Sequence, residues 1–216
     1  MLDPPLTVQG EQQARELAQH LLLVGHTSQV IVSSPLRRAL QTASLGCWRF
    51  LENGAQVVAQ PLSQETSNVP CDTGQDVASI RGLFTDQPIN LDAVELAWNS
   101  KTGKWSQDDE AVKQRAADLR EWLSNLPAEE LTLVTHGFFI HYLTEDGSDL
   151  EKHGTCSDHR LLNLMLKTND SLQGLVSDIA NYERTIWSRP GSAMRSAKRK
   201  VPKQAERFPC RRKVPD

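Results

Sequence analysis

Short apolar stretches alternate with helical periodicity along the first two thirds of the chain. Val30-Ile31-Val32 is β-branched throughout, Gln56 to Ala59 lies between Asn53-Gly54 and Pro61, and Leu131 to Thr135 reads LTLVT. Runs of this length bounded by turn residues predict strands. Ahead of the first, Ala14, Leu17, Ala18, Leu21 and Leu22 recur at helical spacing, with Thr7 placed as an N-cap and Gly25 as a stop. A second helix is expected from Pro35 through Leu40 and Ala43 to about Phe50. A third runs from Asp109 to Asn125 along Val112, Ala116, Leu119, Leu123 and Leu126, and Pro127 ends it. Phe138 to Leu143 is a short apolar helix, and Asp76 to Phe84 another short one. Leu62 to Asp76 is polar and irregular, and Thr85 to Gln107 has no clear pattern. Strand and helix in alternation predict an α/β fold with an open, largely parallel sheet.

The junction VIVSSPLRRALQTA, Val30 to Ala43, is the most informative stretch. Its strand ends in Ser33 and Ser34, and Pro35 suits a first helical turn because the N–H it lacks would be unpaired there anyway. Free amides and the positive end of the helix dipole then lie at the carboxyl end of a strand, where an anion is favoured. Arg38, on the first turn, could hold a phosphate with its planar fork. A solvated Arg pair at an ordinary junction is the plainer alternative, and this stretch alone leaves both open. His136-Gly137 follows the LTLVT strand in the same way. Parallel strands share one carboxyl edge, so Arg38 and His136 can converge although far apart in sequence. Glu65 lies early in a polar loop that follows a strand, a place where α/β folds keep their chemistry; most loop Glu residues are simply solvated.

Composition narrows the class. The chain has 216 residues, 38% hydrophobic and 24% charged, enough for one domain with an appendage. No apolar run approaches the ~20 residues that span a bilayer, and MLDPPLT lacks the features of a signal peptide. A cytoplasmic protein is therefore expected. Cys47, Cys71, Cys156 and Cys210 form no close pairs, which favours reduced thiols. The net charge of −3 conceals a division: residues 189–216 hold 10 Lys or Arg against 2 acids, and the remainder is acidic. Apart from Phe208 this tail lacks interleaved aromatics, and it holds three prolines after Pro190. It is expected to be disordered and solvated; nucleic-acid binding through its Lys and Arg residues is the alternative.

Three segments, DPPLTVQGEQQA, SSPLRRALQTA and LVTHGFF, in this order and spacing, resemble the histidine phosphatase superfamily, the phosphoglycerate mutase-like proteins. The loop LSQETSNVPCDTG is similar to that of fungal members. The likeness covers about residues 3 to 145. It implies a three-layer α/β/α fold over residues 1–188. It also implies transfer of a phosphoryl group from a small phosphomonoester to a histidine, then to water or a second hydroxyl, without metal or other cofactor. Carried over, Arg38 matches a phosphate-binding arginine and Glu65 the general acid. His136 matches the second histidine, a phosphate ligand and charge stabiliser, and Ser33 and Ser34 shape the turn below Arg38.

The sequence departs from the family in lacking its Arg-His-Gly triplet, which carries the nucleophile and the first phosphate-binding arginine. In the family those residues end a central strand between the two that here carry Arg38 and His136. A gap with unpaired backbone groups is therefore expected, each such buried group costing roughly 1 to 3 kcal/mol. Three explanations stand, a gene model or transcript that starts late, a degenerate relative, or a strand recruited from elsewhere, and the first two are favoured. Little or no phosphatase or mutase activity is expected. Asn181 to Thr185 resembles a displaced closing segment of fungal members, which would make residues 156–180 an insertion. His153, Cys156 and His159 are spaced by threes but lack a fourth zinc ligand. Trp98 and Trp105 could line a substrate mouth, although packing of a long connection is the usual role of such residues.

Overall fold

A computed structural model of the chain describes residues 1–23, 25–128, 130–144 and 161–167. Helix α1 (Val8–Leu23) begins where Thr7 stands, because the Thr7 hydroxyl accepts from the Gly10 N–H at 3.1 Å and satisfies one amide left free at the helix start. Gly25 follows with φ +68°, a left-handed conformation natural to glycine. Ala14, Ala18 and Leu21 are buried and Leu17 packs beside them, whereas Leu22 points outward.

Strand β1 (Val30–Ser33) leads into α2 (Arg37–Gly46). Pro35 lies ahead of the helix rather than in its first turn. The Ser34 hydroxyl accepts from the Leu36 N–H at 3.3 Å, and Leu36 remains extended, so this serine turn delays the helix to Arg37. The helix expected to reach Phe50 is interrupted at Cys47, and α3 (Trp48–Glu52) follows. Next come β2 (Gln56–Ala59) and α4 (Val77–Leu83), whose start is capped by Asp76 Oδ1 accepting from the Ser79 N–H at 2.9 Å. Strand β3 (Ile89–Asn90) lies in the stretch without a pattern, since two residues are too few to show one. The chain continues through α5 (Asp109–Ser124), β4 (Glu130–His136), α6 (Gly137–Thr144) and β5 (Leu161–Lys167).

The sheet has the order β3-β2-β1-β4-β5. Its first four strands are parallel, and β5 runs antiparallel to β4, with Glu130 opposite Lys167 and His136 opposite Leu161. Strand β5 falls inside the segment expected to be an insertion. Successive residues of β1 face opposite ways, as the pleat requires. Ile31 joins a core with Leu21, Leu40 and Phe50, while Val32 joins another with Val112, Leu119 and Phe139. Helices thus cover both faces, and the fold is a three-layer α/β/α sheet.

The gap expected between the strands that carry Arg38 and His136 is closed. Strands β1 and β4 pair directly, from Val30 opposite Leu131 to Ser33 opposite Val134, and the Ser34 N–H extends the ladder to Val134 O at 2.9 Å. The backbone groups expected to stand unpaired satisfy each other. The basic segment 189–216, the trio His153, Cys156 and His159, and Asn181 to Thr185 lie outside the described residues. Among the described residues no helix is long and apolar enough to cross a membrane.

Candidate active site

Parallel pairing of β1 with β4 puts the starts of α2 and α6 side by side, and with them Arg38 and His136. Arg38 is 5% exposed, and its Nη2 lies 3.2 Å from His136 Nδ1. A guanidinium can only donate, so Nδ1 is the acceptor and the imidazole proton sits on Nε2, an assignment made from the chemistry of the donor. The convergence expected from strand polarity is therefore realised. Ser33 and Ser34 serve the turn: the Ser33 hydroxyl donates to Ser34 O at 3.0 Å, and Ser34 holds Leu36 as described above.

The anion at this helix start is supplied by the chain itself. Asp3 Oδ1 accepts from the Arg37 N–H at 2.9 Å, and Asp3 is only 1% exposed. Burial raises its carboxyl above the ordinary range, opposed by the amides of Arg37 and Gln75 and the charge of Arg38. The fork of Arg38 is also engaged. Nη2 donates to Asp72 Oδ1 at 2.9 Å and Nη1 to Cys71 O at 2.5 Å, while the Ser67 hydroxyl holds the other Asp72 oxygen at 2.5 Å. The polar loop expected to be irregular is organised by two short 3-10 turns, Pro61–Ser63 and Pro70–Asp72, and the second presents Cys71 and Asp72 to Arg38.

Glu65 lies between those turns and is buried against the start of α6. Its carboxylate accepts from the Thr66 N–H at 2.8 Å and from the Phe138 N–H. Burial raises its pKa and the charge of Asp72 adds to this, against the pull of the two amides and Arg38. A raised carboxyl retains its proton to higher pH than an ordinary one, the direction that favours a general acid. The sign for stability follows. This contribution is fully present below the ordinary value of 4.5 and is lost as pH rises through the raised folded value. Glu65→Gln, which cannot ionise, is expected to be more stable relative to the parent at pH 7 than at pH 4.5, as urea midpoints at the two pH values would measure. A difference independent of pH would exclude a raised Glu65.

Three more ionisable groups adjoin these, and sequence reasoning missed all of them. Asp72 carried no signal that set it apart from other loop acids. Lys101, at φ +56°, donates from Nζ to Glu65 O at 3.2 Å; burial pushes its ammonium down to about 8, and the charge of Arg115 adds to this. Arg115 is 2% exposed on the inner face of α5, its guanidinium carbon 4.9 Å from the centre of the Phe139 ring. A signal for it existed. Val112, Arg115, Ala116 and Leu119 follow helical spacing, so a charge interrupts an apolar stripe.

The tryptophans pack. Trp98 is fully buried and Trp105 nearly so, both within the core under α2 and β2. His26 has its Nε2 3.1 Å from Thr132 Oγ1 and its ring edge-on to Phe50. Among the described residues no cluster of three or more His, Cys, Asp or Glu is arranged to hold a metal ion.

Comparison with known proteins gives two likenesses. The sequence model of the histidine phosphatase superfamily (branch 1) matches residues 1–157, which include Arg38, Glu65 and His136. The chain is also 27% identical over 139 residues to a protein of Schizosaccharomyces pombe described as a probable phosphatase. That likeness covers 64% of this chain and 64% of the yeast protein, so the chain spans less than two thirds of the relative's length.

Proposed function

This chain belongs to the histidine phosphatase superfamily, and we propose that its pocket takes the phosphoryl group of a small phosphomonoester between Arg38 and His136, with Glu65 at the ester oxygen. The observation that supports this best is the 3.2 Å approach of Arg38 to His136 at the carboxyl edge of two adjacent strands. A guanidinium fork and an imidazole N–H are donors suited to phosphoryl oxygens. Each lies at a helix start, where the Arg37 and Phe138 amides are already taken by Asp3 and Glu65, so the side chains and not the amides would hold the phosphate. The raised carboxyl of Glu65 suits protonation of a departing alkoxide.

The same residues set the limit of the chemistry. Transfer through a phosphohistidine needs a nucleophilic ring besides the one that holds the phosphate, and the 216-residue sequence has no Arg-His-Gly triplet. His136 is engaged by Arg38 through Nδ1, which suits it to ligation. Binding without appreciable turnover is thus the activity we assign to the 216-residue chain. Calorimetry with orthovanadate and inorganic phosphate is expected to show one site per chain, and p-nitrophenyl phosphate is expected to be hydrolysed at the uncatalysed rate. Hydrolysis that disappears in His136→Ala would overturn the non-catalytic assignment; failure to bind either oxyanion would overturn the pocket itself.

A further inference from the structure

The guanidinium assigned to the phosphoryl group is already engaged by the chain itself. An arginine grips an oxyanion along one of two edges, Nε with Nη2 or Nη1 with Nη2, and Nη2 belongs to both. In Arg38 the two Nη2 hydrogens go to Asp72 Oδ1 at 2.9 Å and His136 Nδ1 at 3.2 Å, while Nη1 donates to Cys71 O at 2.5 Å. Neither edge can close on a phosphate while Asp72 stays where it is. Charge acts in the same direction, because a carboxylate and a phosphate crowded onto one cation repel each other.

The contact is one that can open. Asp72 ends the three-residue turn Pro70–Asp72, closed by the Asp72 N–H on Val69 O at 2.9 Å and the Thr73 N–H on Pro70 O at 3.3 Å. Short 3-10 turns have poor hydrogen-bond geometry. Cys71, Asp72 and Thr73 are all partly exposed, so their polar groups reach water on leaving Arg38. The flanks, by contrast, are fixed. Asp3 donates its N–H to Pro70 O at 3.1 Å, and its carboxylate accepts from the Gln75 N–H at 3.4 Å and the Arg37 N–H at 2.9 Å. Asp3 thus ties both sides of the segment to the start of α2, and Cys71 and Asp72 lie between these anchors.

We propose that Asp72 is a built-in competitor for the oxyanion site: it closes the Arg38 fork, and an arriving phosphate exchanges with it, opening the Pro70–Asp72 turn as the site fills. The inference rests on the phosphoryl assignment above and concerns its regulation. No covalent bond changes; one ion pair replaces another, and the Asp72 carboxylate moves into water. Ser67, whose hydroxyl donates to the other Asp72 oxygen at 2.5 Å, holds the carboxylate in the closed position. The apparent affinity for phosphate is then the intrinsic one reduced by the fraction of molecules in which Arg38 is open.

Calorimetric titration of the whole 216-residue chain with inorganic phosphate, in the parent and in two variants, tests this. Asp72→Asn is expected to tighten phosphate binding at least about tenfold. That variant also removes a charge, so Ser67→Ala carries the decisive comparison. It keeps every charge while loosening the closed contact, and is expected to tighten phosphate about threefold, as loss of one hydrogen bond to the competitor should. Tightening by Asp72→Asn alone would make Asp72 a through-space charge. Weakening in either variant would make it a group that positions Arg38, and no change in either would make the pair purely structural; each of these results overturns the exchange. If Asp72→Asn does not fold, Ser67→Ala and hydrogen exchange of the unmodified chain decide. Phosphate is expected to speed exchange of the Asp72 and Thr73 amides severalfold, and unchanged or slower exchange refutes the opening. Absence of phosphate binding from all three chains refutes the phosphoryl pocket instead, which separates the two assignments.

Discussion

Arg38→Ala is expected to weaken phosphate binding roughly a hundredfold, about 3 kcal/mol, the cost of removing one member of a buried charge pair. Arg38 and Asp72 expose only 6% and 13% of their side chains, so solvent screens their interaction little. Truncation also takes from the Asp72 carboxylate its ion-pair partner, leaving the Ser67 hydroxyl donating to it and Lys101 within electrostatic reach, and a buried charge that loses its partner destabilises the fold by roughly 3 to 5 kcal/mol. Binding and stability therefore fall together in the single variant. Combining Arg38→Ala with Asp72→Asn separates them, since the double variant loses the stranded charge but still lacks the fork. Its urea midpoint is expected to recover while its phosphate affinity does not. Recovery of both would show that Arg38 only neutralises Asp72.

Trp98→Ala is expected to cost about 3 to 5 kcal/mol of folding stability, the range for removal of a large buried aromatic. Trp98 is fully buried and ties the connection that carries it, between β3 and α5, to the one between β2 and α4. Its indole Nε1 donates to Gln75 O at 3.1 Å, and its backbone oxygen accepts from Gln64 Nε2 at 2.9 Å. The ring lies so close over Gly74 that a Cβ there would stand 2.0 Å from Trp98 Cη2, and a side chain could enter only by displacing the indole. The connection on one side carries Glu65 and Asp72, and the other carries Lys101. Urea unfolding is expected to give the full loss for Trp98→Ala and a smaller one for Trp98→Phe. A loss under about 1 kcal/mol for alanine would show that the loops hold their shape without the indole.

Much of this molecule was legible because it depends on neighbours in sequence. A serine turn, a glycine stop and an apolar stripe act over a few residues, so α1, β1, β2, α5, β4 and α6 were expected close to where they lie. Boundaries moved where a local competitor intervened: Ser34 captured the Leu36 amide and pushed the start of α2 past Pro35. Three of the candidate residues, Arg38, Glu65 and His136, were accessible because His136 ends one strand, Arg38 opens the helix after its neighbour at the same sheet edge, and Glu65 lies in a polar loop. Asp72 was not, because its importance comes from a partner 34 positions away. Arg115 was visible as a charge on an apolar stripe, but nothing in the spacing of α5 says what faces that stripe.

The sequence by itself determined the alternation of strand and helix, the inward faces of α1 and α5, and the placing of an arginine and a histidine just past two strand ends. These follow from side-chain periodicity and from the few residues that start or stop a helix. Only the tertiary structure decided that β1 and β4 are neighbours and that Asp72 occupies the fork of Arg38. Only it, too, buried the Arg115 guanidinium with no hydrogen-bond partner among the described residues. Those outcomes depend on distances of a few ångströms between segments far apart in the chain. At that range ion pairing and desolvation change steeply, and no local pattern records them.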